Sequence, residues 1–434
     1  MGKTIQNFDE LAVNDLRRDA LTIAEAGYKA IDVGNAFKQK LSIENNELRV
    51  GDKKYSIANR RMFFVGVGKC AFAAAYAAEE IFGDFLTAGI ALDVSDLEKN
   101  SFKKIEKCVG THPLPSEINV GATKKIIELI SNLTADDVVI MLISGGGSTL
   151  LCLPPEGMTC DDEATIFKEL TAHGAPIQEL NTVRKHISLA RGGGLARAAY
   201  PAEVLSLVVS DVPGNDVEFI SSGPTVLDTS TVADARAVLE KYGVADSKIS
   251  LVETPKEEKY FERVSTILFL SNLDALSSML RKSVELGYST QIIDDEFSGE
   301  ACDIGMRVLN KLRTNKLHDT FHKQALICAG ESTVTVGASN GVGGRNQEIA
   351  LSALGDILDG EIIISFASDG HDNTDHAGAI CDSTSRTHAE AHHLSISEYL
   401  ESHNSYNFFS TIGDALVTGY TGSNVSDLII ALKK

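Results

Sequence analysis

No two of the chain's seven cysteines form a CxxC pair, and none lies with histidine at zinc-site spacing. The odd set of Cys70, Cys108, Cys152, Cys160, Cys302, Cys328 and Cys381 thus argues against a disulfide scaffold or a structural metal, and suits a reducing cytoplasm. The N-terminal MGKTIQNFDELAVNDLRRDA lacks a charged segment followed by an apolar core, so no signal peptide is expected. Apolar runs are strand-sized and none approaches the ~20 residues of a membrane helix. Basic residues are few: 40 Lys and Arg stand against 60 Asp and Glu, a formal charge of -20, which excludes general attraction to nucleic acid or anionic lipid. Any anionic ligand must therefore be held by a local basic pocket. What remains is an ordinary globular composition, 43% hydrophobic and 23% charged over 434 residues, enough for two or three domains, with no internal repeat or low-complexity tract.

Residues 9 to 40 carry apolar side chains at helical spacing and predict one or two helices on the outside of a domain. From Met62 onward, short apolar runs alternate with helical stretches, as in parallel β-α-β units of an α/β fold. The runs are MFFVGV, GIALDV, VVIMLI, VLSLVV, TILFL, ALICA and EIIISFA. Between Val244 and Arg263 the chain is polar, charge-rich and interrupted by a proline, which predicts a linker between a domain of residues 1–245 and a second of 264–434.

Glycines, hydroxyls and carboxylates gather after these runs, where open α/β sheets bind ligands. Gly66-Val67-Gly68-Lys69-Cys70-Ala71 matches the dinucleotide fingerprint G-x-G-x-x-A, with Asp93 near the ribose-binding distance, but fails as a Walker loop. Lys69 at a helix start opposes the macrodipole unless both face an anion. Ser144-Gly145-Gly146-Gly147-Ser148 offers backbone amides and hydroxyls suited to a phosphate or carboxylate. The stretch from Asn181 to Arg197 is basic without a single acid, and on a helix Arg184, Ser188 and Arg191 share one face, with Lys185 beside them, before Gly192 and Gly193 end it. Asp211, at a strand end before Pro213-Gly214, is placed to hold Mg²⁺ or accept a hydroxyl proton. Glu331 follows ALICAG, and Arg345 opens a helix behind glycines, where a guanidinium suits a transferring phosphoryl group. The Asp369–Ala379 loop, with three acids and two histidines, suits a cation or a nucleotide's polar parts, or simply a hydrogen-bonded turn. Each segment alone also has a plain reading: a tight turn, slack, a solvated face, an Asx turn, or, for His112, a structural histidine.

Taken in order, VGVGKCAFAAA, THPLPSE, ISGGGSTLL, LNTVRKHISLARGGGLA, SDVPGNDVEFISSGPT, AGESTVTVG, GGRNQEIAL, SDGHDNTDHAGAICD and TGYTGSNVSDL resemble the glycerate 2-kinase family, the type with a C-terminal MOFRL domain, some members of which carry a hydroxypyruvate reductase name. The resemblance implies a large N-terminal Rossmann-like parallel-sheet domain, a smaller C-terminal α/β domain and an active site in the cleft between them. It further implies ATP- and Mg²⁺-dependent phosphorylation of D-glycerate at the 2-hydroxyl by a cytoplasmic monomer or homodimer. On this resemblance Lys69, Asp211 and Arg345 are the catalytic residues. Substrate or phosphate binding falls to Gly68, His112, Ser144, Gly145, Gly146, Gly147, Ser148, Asn181, Arg184, Lys185, Arg191, Gly192, Gly193 and Glu331, with Asp211 and Glu331 as Mg²⁺ ligands. The Asp369–Ala379 loop departs from the family pattern by one residue. A nicotinamide-dependent hydroxypyruvate reductase and a kinase for a related sugar acid remain the alternatives.

Overall fold

The computed structural model describes residues 2–95, 101–244, 249–314, 323–336 and 340–434. Contacts divide the chain into two compact units. One comprises Val33–Asp211 and Asn215–Leu270; the other comprises Met1–Asp32, Val212–Gly214 and Ser271–Lys434.

The first unit is built on six parallel strands. Their spatial order is Ile105–Val109, Leu86–Asp93, Arg61–Val67, Asp137–Ile143, Glu203–Val209 and Val264–Leu270. In chain order this is 3-2-1-4-5-6, the doubly wound arrangement, and the direction of winding reverses between Arg61–Val67 and Asp137–Ile143. Asp137–Ile143 is buried at every position, which is why a sheet-centre strand reads as a continuous apolar run rather than an alternating one. The helix Ala71–Phe82 that follows the first of these strands buries Ala71, Ala74, Ala75 and Ala78, small side chains that let it lie close to its neighbours. A three-stranded antiparallel sheet, Leu41–Glu44, Glu47–Val50 and Lys53–Ser56, belongs to the same unit.

The second unit carries a six-stranded mixed sheet ordered Ser289–Phe297, Gln324–Gly330, Asp427–Lys433, Glu361–Ala367, Gly378–Asp382 and Ala415–Leu416. Its first pair is parallel and the remaining pairs are antiparallel. Leu326, Cys328, Ile363, Ile429 and Ala431 on this sheet pack with Ile304, Val308 and Ile349 from the helices Ala301–Thr314 and Arg345–Leu354.

All seven apolar runs are strands, but the units divide differently from the sequence expectation. Val264–Leu270, assigned above to the second domain, pairs in register with Glu203–Val209 and completes the parallel sheet. The segment anticipated as a linker is tied into the first unit: Val252 N–H donates to His186 O at 2.8 Å, and Thr254 Oγ1 and Lys256 Nζ donate to Asp228 at 3.0 and 2.8 Å. Residues 245–248 of that segment lie outside the described residues, as does Gly337 of the AGESTVTVG motif. At the other end, the helix Asp15–Ile31 belongs to the second unit, its Gly27 packed so closely on Met279 that an added Cβ would lie 2.9 Å from the sulfur.

Candidate functional site

The two glycine loops of the first unit meet where its sheet winding reverses. Gly68, with φ of +120°, lies so tightly on the second loop that a Cβ would stand 2.1 Å from Ser144 Oγ. The loops are joined by Ser144 N–H to Val67 O and Lys69 N–H to Gly145 O, both 2.9 Å. Gly147 is required for the same reason, since its Cβ would fall 2.1 Å from Ser221 Oγ, which itself donates to Ser144 O at 2.7 Å. Ser148 Oγ and Ser222 Oγ are 2.9 Å apart, and Ser222 donates to Asn181 Oδ1 at 2.9 Å. The glycines thus bring three chain segments together, a role beyond flexibility.

Over this junction stand two side chains. Measured from the Cβ position of Gly146, Lys69 Cγ is 3.2 Å away and the His112 ring 3.6 Å at Cδ2 and 3.8 Å at Nε2. His112 is held below its usual range, first by desolvation and then by the positive charges of Lys69 and Arg184. A neutral imidazole flanked by two cations is a donor or acceptor in an electropositive pocket, suited to a small anion.

The first loop does not offer the dinucleotide site its fingerprint suggests. Asp93 is buried, and its carboxylate accepts Phe72 N–H at 3.0 Å and Val94 N–H at 2.6 Å. It takes up Phe72 N–H at the start of the helix Ala71–Phe82, a donor of the kind a pyrophosphate would use. Burial pushes its carboxyl up to about 6, against the N–H groups that favour the anion. A carboxyl raised in the folded state contributes stability that is full below its unfolded pKa and is lost as pH rises through about 6. Urea unfolding at successive pH is therefore expected to show the wild type losing up to about 3 kcal/mol relative to Asp93→Asn between about pH 4 and pH 7. Parallel profiles would mean that Asp93 does not titrate in that window.

The basic segment divides. Its helix is Ile177–His186 and ends there, so Ser188 and Arg191 do not continue the face of Arg184 as the spacing predicts. The chain turns because Arg191, 1% exposed, is drawn inward to Glu163 at 2.6 Å, and Gly192 and Gly193 follow with left-handed φ. Gly192 and Gly193 donate their N–H groups to Ser222 O at 2.9 Å and Gly223 O at 2.8 Å. Lys185 is paired with buried Asp228 at 3.1 Å. Lys185 and Arg191 are thus framework cations with carboxylate partners. Arg184 instead lies with its guanidinium carbon 3.7 Å from the centre of the Phe167 ring.

Asp211 follows Glu203–Val209 at the edge of the same unit, half-buried, and is near enough to Cys70 for its charge to add to the burial that raises that thiol to about 12. Among the described residues no group of three or more His, Cys, Asp and Glu gathers as a metal cage. A single strand-end carboxylate fits Mg²⁺ that arrives on nucleotide phosphates, since such ions take one or two protein carboxylates and fill the rest of their shell with phosphate oxygens and water.

In the second unit, Arg345 begins the helix Arg345–Leu354, and its guanidinium is held 2.5 Å from Glu331 and 2.8 Å from Asp427. Glu331 is therefore engaged by Arg345. Asp427, at the start of its strand and 1% exposed, is pushed up to about 7 by burial, against the pull of Arg345. The Asp369–Ala379 loop takes its plain reading: buried Asp372 accepts Asn346 N–H at 3.0 Å and Gln347 N–H at 2.8 Å, filling the N-terminus of the Arg345 helix. Sequence reading passed over Asp427, Phe167 and Ser222. Asp427 and Ser222 stand inside the motifs TGYTGSNVSDL and SDVPGNDVEFISSGPT without the partner that gives them meaning, since Phe167 lies 17 residues from Arg184 and Ser222 lies 74 from Ser148.

A family model described as "Domain of unknown function (DUF4147)" matches residues 19–254, and one described as "MOFRL family" matches residues 324–427. The D-glycerate 2-kinase of Thermotoga maritima is 35% identical over 427 residues, covering 96% of this chain and 98% of that protein. The chain belongs to the glycerate 2-kinase family. The glycerate 2-kinase of Pyrococcus horikoshii is 33% identical over 435 residues, covering 96% of this chain and 97% of its own. A crystal structure of glycerate kinase from Thermotoga maritima superposes with a TM-score of 0.85 at 34% identity, over 95% of this chain and 98% of that one. Among the described residues no helix is long and apolar enough to cross a membrane.

Proposed function

We propose that this chain transfers the γ-phosphoryl group of ATP to the 2-hydroxyl of D-glycerate, giving 2-phosphoglycerate and ADP, with Mg²⁺ as the accompanying ion and the cytoplasm as its place of work. The observation that carries the reading is the junction at the sheet's winding reversal, where the cation Lys69 and the neutral His112 stand over Gly146, in a member of this family. Phosphoryl transfer asks a protein mainly for position and for compensating charge. The acceptor oxygen forms a bond to the γ-phosphorus as the bond from that phosphorus to the β-γ bridging oxygen breaks. The hydroxyl proton passes to Asp211, and ADP leaves with the bridging oxygen. Lys69 neutralises negative charge on the transferring group, and Arg345 is the second cation assigned to that charge. Mg²⁺, held by Asp211 and the nucleotide phosphates, would supply further charge neutralisation. Backbone and hydroxyl groups of the Ser144–Ser148 loop, steadied by Asn181, hold the anions in place.

The test is direct. Purified protein with D-glycerate, ATP and Mg²⁺ is expected to release ADP, and NMR of the product is expected to show phosphate on the 2-oxygen. Phosphate on the 3-oxygen would correct the regiochemistry, and better turnover of another sugar acid would correct the acceptor. Failure to form ADP, together with NAD(P)H oxidation by hydroxypyruvate, would sink the kinase reading.

A further inference from the structure

Arg184 stands out among the buried or half-buried cations Arg184, Lys185 and Arg191 because the other two are neutralised and it is not. Lys185 has buried Asp228 at 3.1 Å, and Arg191 has buried Glu163 at 2.6 Å. Glu163 also accepts the Cys152 thiol at 3.3 Å, so the acid closest in charge to Arg184 is already committed. Among the described residues no carboxylate pairs with Arg184. Desolvation, and then the nearby charge of Arg191, lower its guanidinium to about 10, which marks a cation short of compensating charge.

Its position is fixed from two sides. On the helix Ile177–His186, Arg184 lies one turn beyond Asn181, the residue that accepts from Ser222 at 2.9 Å and through it meets Ser148. Phe167 supports the guanidinium face at 3.7 Å, which spares the side chain much of the ordering cost of binding. Arg184 is near enough to His112 for its charge, like that of Lys69, to bear on that imidazole, and Lys69 and His112 stand together over Gly146. A planar fork of donors held against an aromatic ring matches a carboxylate, which it meets with two parallel hydrogen bonds, better than it matches a single hydroxyl.

We infer that Arg184 receives the carboxylate of the acceptor and thereby sets this chain's selectivity for hydroxy acids, leaving Lys69 to the phosphoryl group. The inference rests on the functional reading given above. Lys185 and Arg191 then serve the fold, and His112, neutral between two cations, contributes a hydrogen bond and no third charge.

Steady-state kinetics on the full chain test it, with KM measured separately for D-glycerate and MgATP in Arg184→Ala and Arg184→Lys. Arg184→Ala is expected to raise the D-glycerate KM by about 100-fold or more, with the MgATP KM within about threefold of wild type, and added guanidinium ion is expected to recover part of the loss. Arg184→Lys keeps the charge without the fork and is expected to raise the D-glycerate KM by about tenfold. It also guards against a variant that fails to fold. A D-glycerate KM unchanged in both variants, or an MgATP KM that rises in step with it, overturns the assignment. Wild-type protein inactive on D-glycerate overturns the functional reading and the inference with it, whereas active wild type with unaffected variants overturns only the role of Arg184.

Discussion

Lys69→Ala is expected to lower kcat about 10³-fold, a loss of about 4 kcal/mol of transition-state stabilisation, while leaving the fold nearly as stable as wild type. The asymmetry follows from what the residue contributes to each. Its backbone N–H, donated to Gly145 O at 2.9 Å, ties it to the second loop, and alanine keeps that bond. The side chain is only half-buried, so its removal opens no core cavity. On the proposed function the position carries much more in catalysis. Asp93 already accepts Phe72 N–H at the helix start behind Lys69, so on the proposed reading the ammonium, rather than that donor, faces the charge of the phosphoryl group. Its removal also lets His112 rise toward its usual range, because one of the two charges that depress it is gone. The measurement is kcat with both substrates saturating, beside a melting curve. Turnover within about tenfold of wild type would remove Lys69 from the reaction, and a large fall in melting temperature would mean that the side chain is structural.

Strands and close-packed loop glycines were more legible in the sequence than the division into units. Strand runs such as VVIMLI were plain because a strand buried on both faces leaves no polar alternation. The loop glycines were plain for a related reason: at Gly68 and Gly147 another segment occupies the place of a Cβ. What stayed hidden depends on partners far along the chain. An amphipathic helix such as Asp15–Ile31 advertises an apolar face but not the sheet it covers, and Met279 and Asp382 lie hundreds of residues away. Val264–Leu270 looks like the first strand of a new domain until its register with Glu203–Val209 is known. The basic run at Arg184 to Arg191 gave the right charge but the wrong helix, because the buried pair of Arg191 with Glu163 overrides helical spacing. Asp93 shows the same limit from the other side. Its spacing matched a ribose-binding acid, and only its 3.0 Å bond to Phe72 N–H reveals a helix cap.

Arg17→Met is expected to be the most destabilising single change, costing about 3–5 kcal/mol, a large part of the roughly 5–15 kcal/mol that holds a typical fold. Arg17 is 1% exposed and uses its guanidinium on two buried carboxylates at once. Nε and Nη2 donate to Asp382 at 2.9 and 2.8 Å, and Nη1 and Nη2 to Asp414 at 2.6 and 2.9 Å, with Ser385 Oγ accepting at 2.9 Å. Methionine approximates the volume but leaves both acids without a cation in a dry site, and that uncompensated charge is what costs. These contacts also hold the N-terminal helix to its unit across some 365 residues of chain, so its loss should free that helix early in unfolding. The pH dependence separates charge from packing. Burial acts to raise Asp382, yet the bonds and charge of Arg17, with the Ser385 N–H, bring it below its usual range. A carboxyl depressed in the folded state contributes stability present above its unfolded pKa and lost as pH falls through the folded one. Without Arg17 the burial that acts on Asp382 is no longer opposed and raises it, and stability is then lost as pH climbs above about 4. The gap between wild type and Arg17→Met, read from urea midpoints, should therefore be widest near neutral pH and shrink in acid. A gap that stays constant with pH would assign the loss to packing. Adding Asp414→Asn to Arg17→Met removes one of the orphaned charges and should recover part of the stability at pH 7, which a packing defect would not allow.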